Sequence, residues 1–226
     1  MSTTQRKSMS RNTKLSLVVA GVFVAVVAVL FGVTRLGGDD APSGAPEAAA
    51  IAARPDSNRL STAPGSTVTF VEFLDFECEA CGAAYPAVEQ LRQQYGDRVD
   101  FVIRYFPIPS HFNAERAARA VESAARQGRL EAMYKMMYDT QAEWGEQQVP
   151  MDDRFRGYAQ QIGLDMARFD ADYADPAILA RVQADRADGM TLGVEGTPTF
   201  FVNGRRLQPQ SYADLTRALD DALTAG

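Results

Sequence analysis

Hydrophobic and polar positions divide the chain into stretches of different period. Leu15 to Val33 is nineteen residues without a charge, mostly valine, alanine and leucine. At ~1.5 Å per residue such a helix reaches about 28 Å, close to the hydrocarbon thickness of a bilayer. From 37 to 62 the apolar period disappears, and Ala, Pro, Gly, Ser and Asp dominate with no aromatic residue. That composition predicts a flexible tether spanning roughly 25–30 Å. Thr67 to Leu74 is β-branched and aromatic and predicts a buried strand, while Gly82 to Leu91 has apolar positions at helical spacing. Arg98 to Phe106 alternates after the Gly96-Asp97 turn and predicts a second central strand, ended by Pro107 and Pro109. Strand, helix and strand at this spacing predict a right-handed parallel βαβ unit.

A long helical region follows. Ala114, Ala117, Ala118, Val121, Ala124 and Ala125 make one stripe, and its small residues predict close helix packing. Gly128 stops it, and Leu130, Met133, Tyr134, Met136, Met137 and Tyr138 begin another helix. Asp153 to Ile162, Met166 to Tyr173 and Pro176 to Leu192 supply further helical segments, and Trp144 reads as an anchored aromatic in a loop. Thr199 to Val202 then predicts a strand, Asn203-Gly204 a two-residue type I′ turn, and Arg205-Arg206-Leu207 the return strand. Ser211 caps a last helix whose stripe is Leu215, Ala218, Leu219 and Ala222.

Charge orients the apolar span. Arg6, Lys7, Arg11 and Lys14 precede it with no acid among the first fourteen residues. The positive-inside rule then predicts a cytoplasmic N-terminus at 1–14, an anchor at 15–36 and an exported remainder at the cell membrane. A cleaved signal peptide would have an apolar run of about 7–15 residues with a small-residue cleavage site directly after it. Here Thr34-Arg35-Leu36 follows, and Ala48-Ala49-Ala50 lies far off, which favours an uncleaved anchor. All 29 acids lie beyond residue 36, leaving a net charge of −11 there. Such an anionic globule is a poor partner for nucleic acid.

Chemistry concentrates at Cys78 and Cys81, the only cysteines. The strand delivers Cys78 to a helix start, where unpaired N–H groups and the helix dipole favour a thiolate. Zinc needs about four ligands, and His111 is the one further candidate of the usual type, so no metal is expected and His111 receives no role. A purely structural Cys78–Cys81 disulfide remains open, although so short a loop stabilises least.

Asp75-Phe76-x-Cys78-x-x-Cys81 before a proline-containing helix, with Gly196-Thr197-Pro198-Thr199-Phe200 far downstream, resembles the DsbA-like thiol–disulfide oxidoreductases of the thioredoxin superfamily. The resemblance covers roughly Ala63 to Leu223. It implies an α/β thioredoxin fold over 63–226 with an all-helical insertion at about 112–192, and the apolar span places one transmembrane helix before it. It also implies a cis Thr197–Pro198 bond that turns the backbone of Thr197 toward the sulfurs to pair with an extended client. Cys78 would be the exposed nucleophile and Cys81 the resolving thiol, with no cofactor required. Glu72, six residues before Cys78, matches a buried acid that relays protons to Cys81; strand alternation equally permits a solvent-facing Glu72.

The implied activity is oxidation of exported, cysteine-bearing proteins by a monomer that a membrane redox partner recycles. A reductase or isomerase, or a redox-inert chaperone-like binding module, are the alternatives. Strong oxidants of this family carry a histidine within the motif, where this chain has Glu79 and Ala80. Cys78 is therefore expected about one to two units above the ~3.5 of the strongest oxidant.

Overall fold

The apolar run at 67–74 becomes a central strand in the structure, a computed structural model that describes residues 44–225. The segments expected at 1–14 and 15–36 lie outside the described residues. In chain order the elements are α1 (Ala45–Ala52), β1 (Asn58–Ser61), β2 (Val68–Leu74), α2 (Glu79–Tyr95) and β3 (Val99–Tyr105). A helical region follows with α3 (Ala114–Ala125), α4 (Leu130–Asp139), α5 (Gln141–Trp144), α6 (Asp152–Gln161), α7 (Met166–Ala174) and α8 (Pro176–Thr191). The chain closes with β4 (Thr199–Val202), β5 (Arg205–Arg206) and α9 (Tyr212–Ala225).

The strands lie in the order β1-β3-β2-β4-β5. β2 and β3 are parallel, with Val68 opposite Val99 and Leu74 opposite Tyr105, and the other pairings are antiparallel. Alternation sorts the strand residues between two cores. Val68, Phe70 and Leu74 of β2, with Phe101, Ile103 and Phe200 of its neighbours, join the larger core with α2, α9 and the helical insertion. Val71, Phe73, Val102 and Phe201 face the smaller one, with Ala52, Leu192 and Val194. Both faces are covered, and every β2 residue except the half-buried Thr69 is buried.

The helical stripe read between Ala114 and Ala124 is buried, as small residues at that spacing require for close packing. Trp144 ends the short helix α5 and meets Phe155 edge-on at 4.9 Å, so it belongs to the core of the insertion. Asn203 and Gly204 make the hairpin turn with φ of 48° and 79°. A Cβ at Gly204 would collide with the backbone of Ala49, so the hairpin packs directly on α1. Ser211 differs from expectation: its hydroxyl donates to the Asp214 carboxylate at 2.9 Å.

The tether expected at 37–62 is corrected over 44–62. Pro46 sits in the first turn of α1 and alanines fill its interior, both favourable for a helix. The helix end is held by Arg104, which is fully buried and donates to the carbonyls of Ile51 and Ala52 at 2.6 and 2.8 Å. β1 is held at its sides. Asn58 donates to Tyr105 Oη and Glu122, and Arg59 pairs with Asp100 at 3.0 Å. Tertiary partners, rather than local pattern, order this stretch.

Candidate active site

β2 ends at Leu74, and after three intervening residues the chain reaches Cys78, the N-cap of α2. The turn between them is tied down by polar groups. Asp75 accepts from the N–H of Glu77 and of Ile108, each at 2.8 Å, and faces His111 Nδ1 at 2.7 Å. Glu77 accepts from the N–H of Asn113 at 2.5 Å. Gln141 Nε2 donates to the carbonyls of Phe76 and Cys78 at 2.7 and 2.9 Å, and its side chain fills the space that a Cβ at Gly82 would need. The segment carrying Cys78 is thus fixed to the loop after β3 and to α5.

Both cysteines are free thiols. Cys81 is fully enclosed, while Cys78 is 8% exposed: more open than its partner, yet less open than a position on the first turn suggests. The Thr197–Pro198 bond is cis. Cys78 Sγ donates to the Thr197 carbonyl oxygen at 3.4 Å. Once Cys78 ionises it can no longer donate to a carbonyl. The Thr197 hydroxyl, buried and without another partner, is then the group placed to donate to the thiolate.

Electrostatics divides the two sulfurs. The Cys78 pKa is lowered to about 5, chiefly by a hydrogen bond with Cys81, against burial that pushes it up. Thr197 and the backbone N–H groups of Cys81 and Ala80 add to the lowering. Burial raises Cys81 well above its ordinary value, and the hydrogen bond to Cys78 and the charge of Glu72 raise it further. One sulfur is a thiolate at neutral pH and its neighbour keeps its proton.

Glu72 lies on the larger-core face of β2, between Phe70 and Leu74 and opposite Phe200 and Ile103. The solvent-facing alternative is corrected here, because α2 and the insertion cover that face. Glu72 is 2% exposed and its Oε2 has no partner. Burial raises its pKa to about 8, with smaller contributions from the negative charges of Glu89 and Cys78. Glu79 and Ala80 are both exposed on the first turn of α2.

Sequence reasoning gave no role to Asp75, Glu77, His111 or Gln141. Their partners lie 33 to 65 residues away, beyond any local period. The available signal was acids in an otherwise apolar turn beside the cysteines. Burial works to lower the His111 pKa, but the hydrogen bond and charge of Asp75 outweigh it and leave the imidazole raised. Asp75 stays above the ordinary carboxylate range because burial outweighs its hydrogen bonds and His111.

Residues 61–221 match a family model described as thioredoxin. The chain belongs to the thioredoxin family. Among solved structures it resembles a thioredoxin-like oxidoreductase from Silicibacter pomeroyi DSS-3, at 27% identity and a TM-score of 0.65, covering 79% of this chain and 98% of that one. The thiol-disulfide exchange protein alpha-DsbA2 from Wolbachia pipientis is similar in fold at 21% identity and a TM-score of 0.66, covering 77% and 91%. The fold is therefore the DsbA-like thioredoxin fold with its helical insertion, and family and fold together support oxidoreductase activity.

A curated relative, the Na(+)/H(+) antiporter NhaA of Herminiimonas arsenicoxydans, is 34% identical over 172 residues, which are 76% of this chain and 26% of that protein. The chain spans about a quarter of the length of the curated relatives it matches. These comparisons correct the cell-membrane location with a single-pass anchor. The relatives are named as antiporters, not as anchored thioredoxin domains, and no helix among the described residues is long and apolar enough to cross a membrane.

Proposed function

We propose that this thioredoxin-family chain oxidises paired thiols in client proteins through Cys78 and Cys81. The observation that carries the reading is the placement of the sulfurs. Cys78 sits at the N-cap of α2, with its Sγ 3.4 Å from the Thr197 carbonyl oxygen, and Cys81 lies fully enclosed behind it. An incoming thiolate can reach only the first of them.

In the disulfide form, a client thiolate attacks Cys78 Sγ and the Cys78–Cys81 bond breaks toward Cys81. Cys81 leaves with the electron pair and takes a proton, since burial disfavours its anion. Glu72, whose carboxyl titrates near 8, holds a proton at neutral pH and is coupled by charge to both sulfurs. We assign it the proton relay. A second client thiolate then attacks the client sulfur of the mixed disulfide and expels Cys78, a good leaving group because its thiolate is stabilised. The client loses two electrons and gains one disulfide, and the protein gains both electrons. A separate redox partner must then re-oxidise the dithiol.

Clients approach beside Thr197, whose backbone offers pairing to an extended segment, and along a cleft of about 550 Å³ that includes Pro107, Ile108, His111 and Phe112. Main-chain pairing is indifferent to client side chains, which suits many substrates.

The stabilised thiolate supports the oxidising direction. Stabilising Cys78 favours the reduced protein and makes its disulfide oxidising. A pKa of about 5 lies between a strong oxidant at ~3.5 and thioredoxin at ~7, with potentials of about −120 and −270 mV. A value of roughly −150 to −180 mV is expected. Equilibration with glutathione measures it. A potential below about −250 mV would mark a reductase and overturn the oxidase reading.

A further inference from the structure

One group of side chains at the mouth of the site has no part in the exchange reaction. Glu79 from the first turn of α2, His111 from the loop after β3 and Glu146 from the loop after α5 place ligand atoms within 4.8 Å of one another. They come from three separate elements, and each is exposed or half-buried. Two carboxylates held this close repel each other, and a cation between them removes that cost.

A second observation comes from behind the cluster. His111 Nδ1 faces Asp75 Oδ2 at 2.7 Å, and the Asp75 side chain is fully enclosed and held by two backbone N–H groups. A buried carboxylate that fixes one ring nitrogen orients the other outward as a ligand, the usual support behind a metal-bound histidine. His111 Nε2 is the nitrogen left free.

We propose that Glu79, His111 and Glu146 bind a divalent transition metal, zinc by preference, beside Cys78. One imidazole with two carboxylates suits zinc, whereas calcium and magnesium favour all-oxygen sets. Tetrahedral zinc with bonds of about 2.0–2.1 Å holds its ligands about 3.4 Å apart. The two long glutamate side chains supply that adjustment with little backbone movement. Three protein ligands leave the fourth position to water or to an incoming sulfur. Metal bound here would cover the approach to Cys78, because Glu79 is its immediate neighbour. The expectation from sequence of no metal considered only a site built on the two cysteines.

The proposal stands apart from the oxidase reading, and its test uses the disulfide form, in which neither cysteine offers a thiolate. Zinc chloride is titrated into the oxidised full chain by calorimetry, alongside Glu146→Gln, Glu79→Gln and the control Glu143→Gln. One saturable zinc per chain is expected, weakened at least about tenfold by Glu146→Gln and by Glu79→Gln and unchanged by the control. Far-ultraviolet circular dichroism checks that each variant is folded. Absence of saturable binding to the wild type, or equal binding by wild type and Glu146→Gln, overturns the site.

Discussion

Replacing Glu72 by glutamine isolates the energetic cost of a carboxylate inside the larger core. The side chain keeps its shape and loses its ionisation. In the folded protein Glu72 titrates near 8, against an ordinary value of 4.5. A raised folded pKa means that the fold binds the proton more tightly than the unfolded chain does. The associated stability is fully present below pH 4.5 and is lost as pH rises through 8. At ~1.4 kcal/mol per unit, the loss is about 3 kcal/mol by pH 7 and approaches about 5 kcal/mol above pH 8. Glu72→Gln escapes it. The buried amide changes stability by its own amount, about 1–3 kcal/mol if unpaired, but that offset does not vary with pH. Urea denaturation of both reduced proteins between pH 4 and 9 therefore gives a difference that widens in favour of the variant across the 4.5–8 window. Titration of Cys78 is common to both proteins and largely cancels. Two stability curves that run parallel over the whole range would refute the buried, proton-holding Glu72.

Cys78→Ser should abolish exchange, whereas Cys81→Ser should accumulate mixed disulfides with clients on non-reducing gels; trapping by Cys78→Ser instead would reverse the two roles. Arg104→Met should cost about 3–5 kcal/mol in urea. It removes one of the two arginine partners of the fully buried Asp185, leaving it Arg181, and takes the donor from the carbonyls of Ile51 and Ala52; a loss below about 1 kcal/mol would deny the network its structural weight. Gly204→Ala should destabilise by more than about 1 kcal/mol, since φ is 79° and its Cβ meets α1, and an unchanged melting temperature would show that the hairpin and helix are not in contact.

Much of the core was legible because it repeats locally. β2, β3, β4 and the α3 stripe each carry their period within one element, and Asn203-Gly204 announces its turn by composition. The sulfurs were legible for the same reason, since strand, cysteines and helix are contiguous. What escaped depends on distant partners. β1 has a single buried apolar residue, Leu60, and is a strand because β3 lies beside it. Arg104 sits in an apolar strand with nothing nearby to mark its acids, Asp185 and Asp188, more than 80 residues on. His111 and Asp75 are 36 residues apart and meet only once β2 and β3 are parallel neighbours.

The short strand β1 also decides where this domain can be cut. Boundaries drawn from composition would start the domain at Ala63 and discard everything before it. Such a fragment would keep both cysteines and every residue of the exchange site. It would also leave one side of β3 with unpaired N–H and C=O groups along a stretch holding Phe101, Val102 and Ile103. An exposed, apolar strand edge of that kind is a template for pairing with another chain. Loss of α1 would at the same time uncover Arg104 and the smaller core. The trimmed domain would self-associate while its sulfur chemistry was still in place, and low solubility would then be mistaken for inactivity.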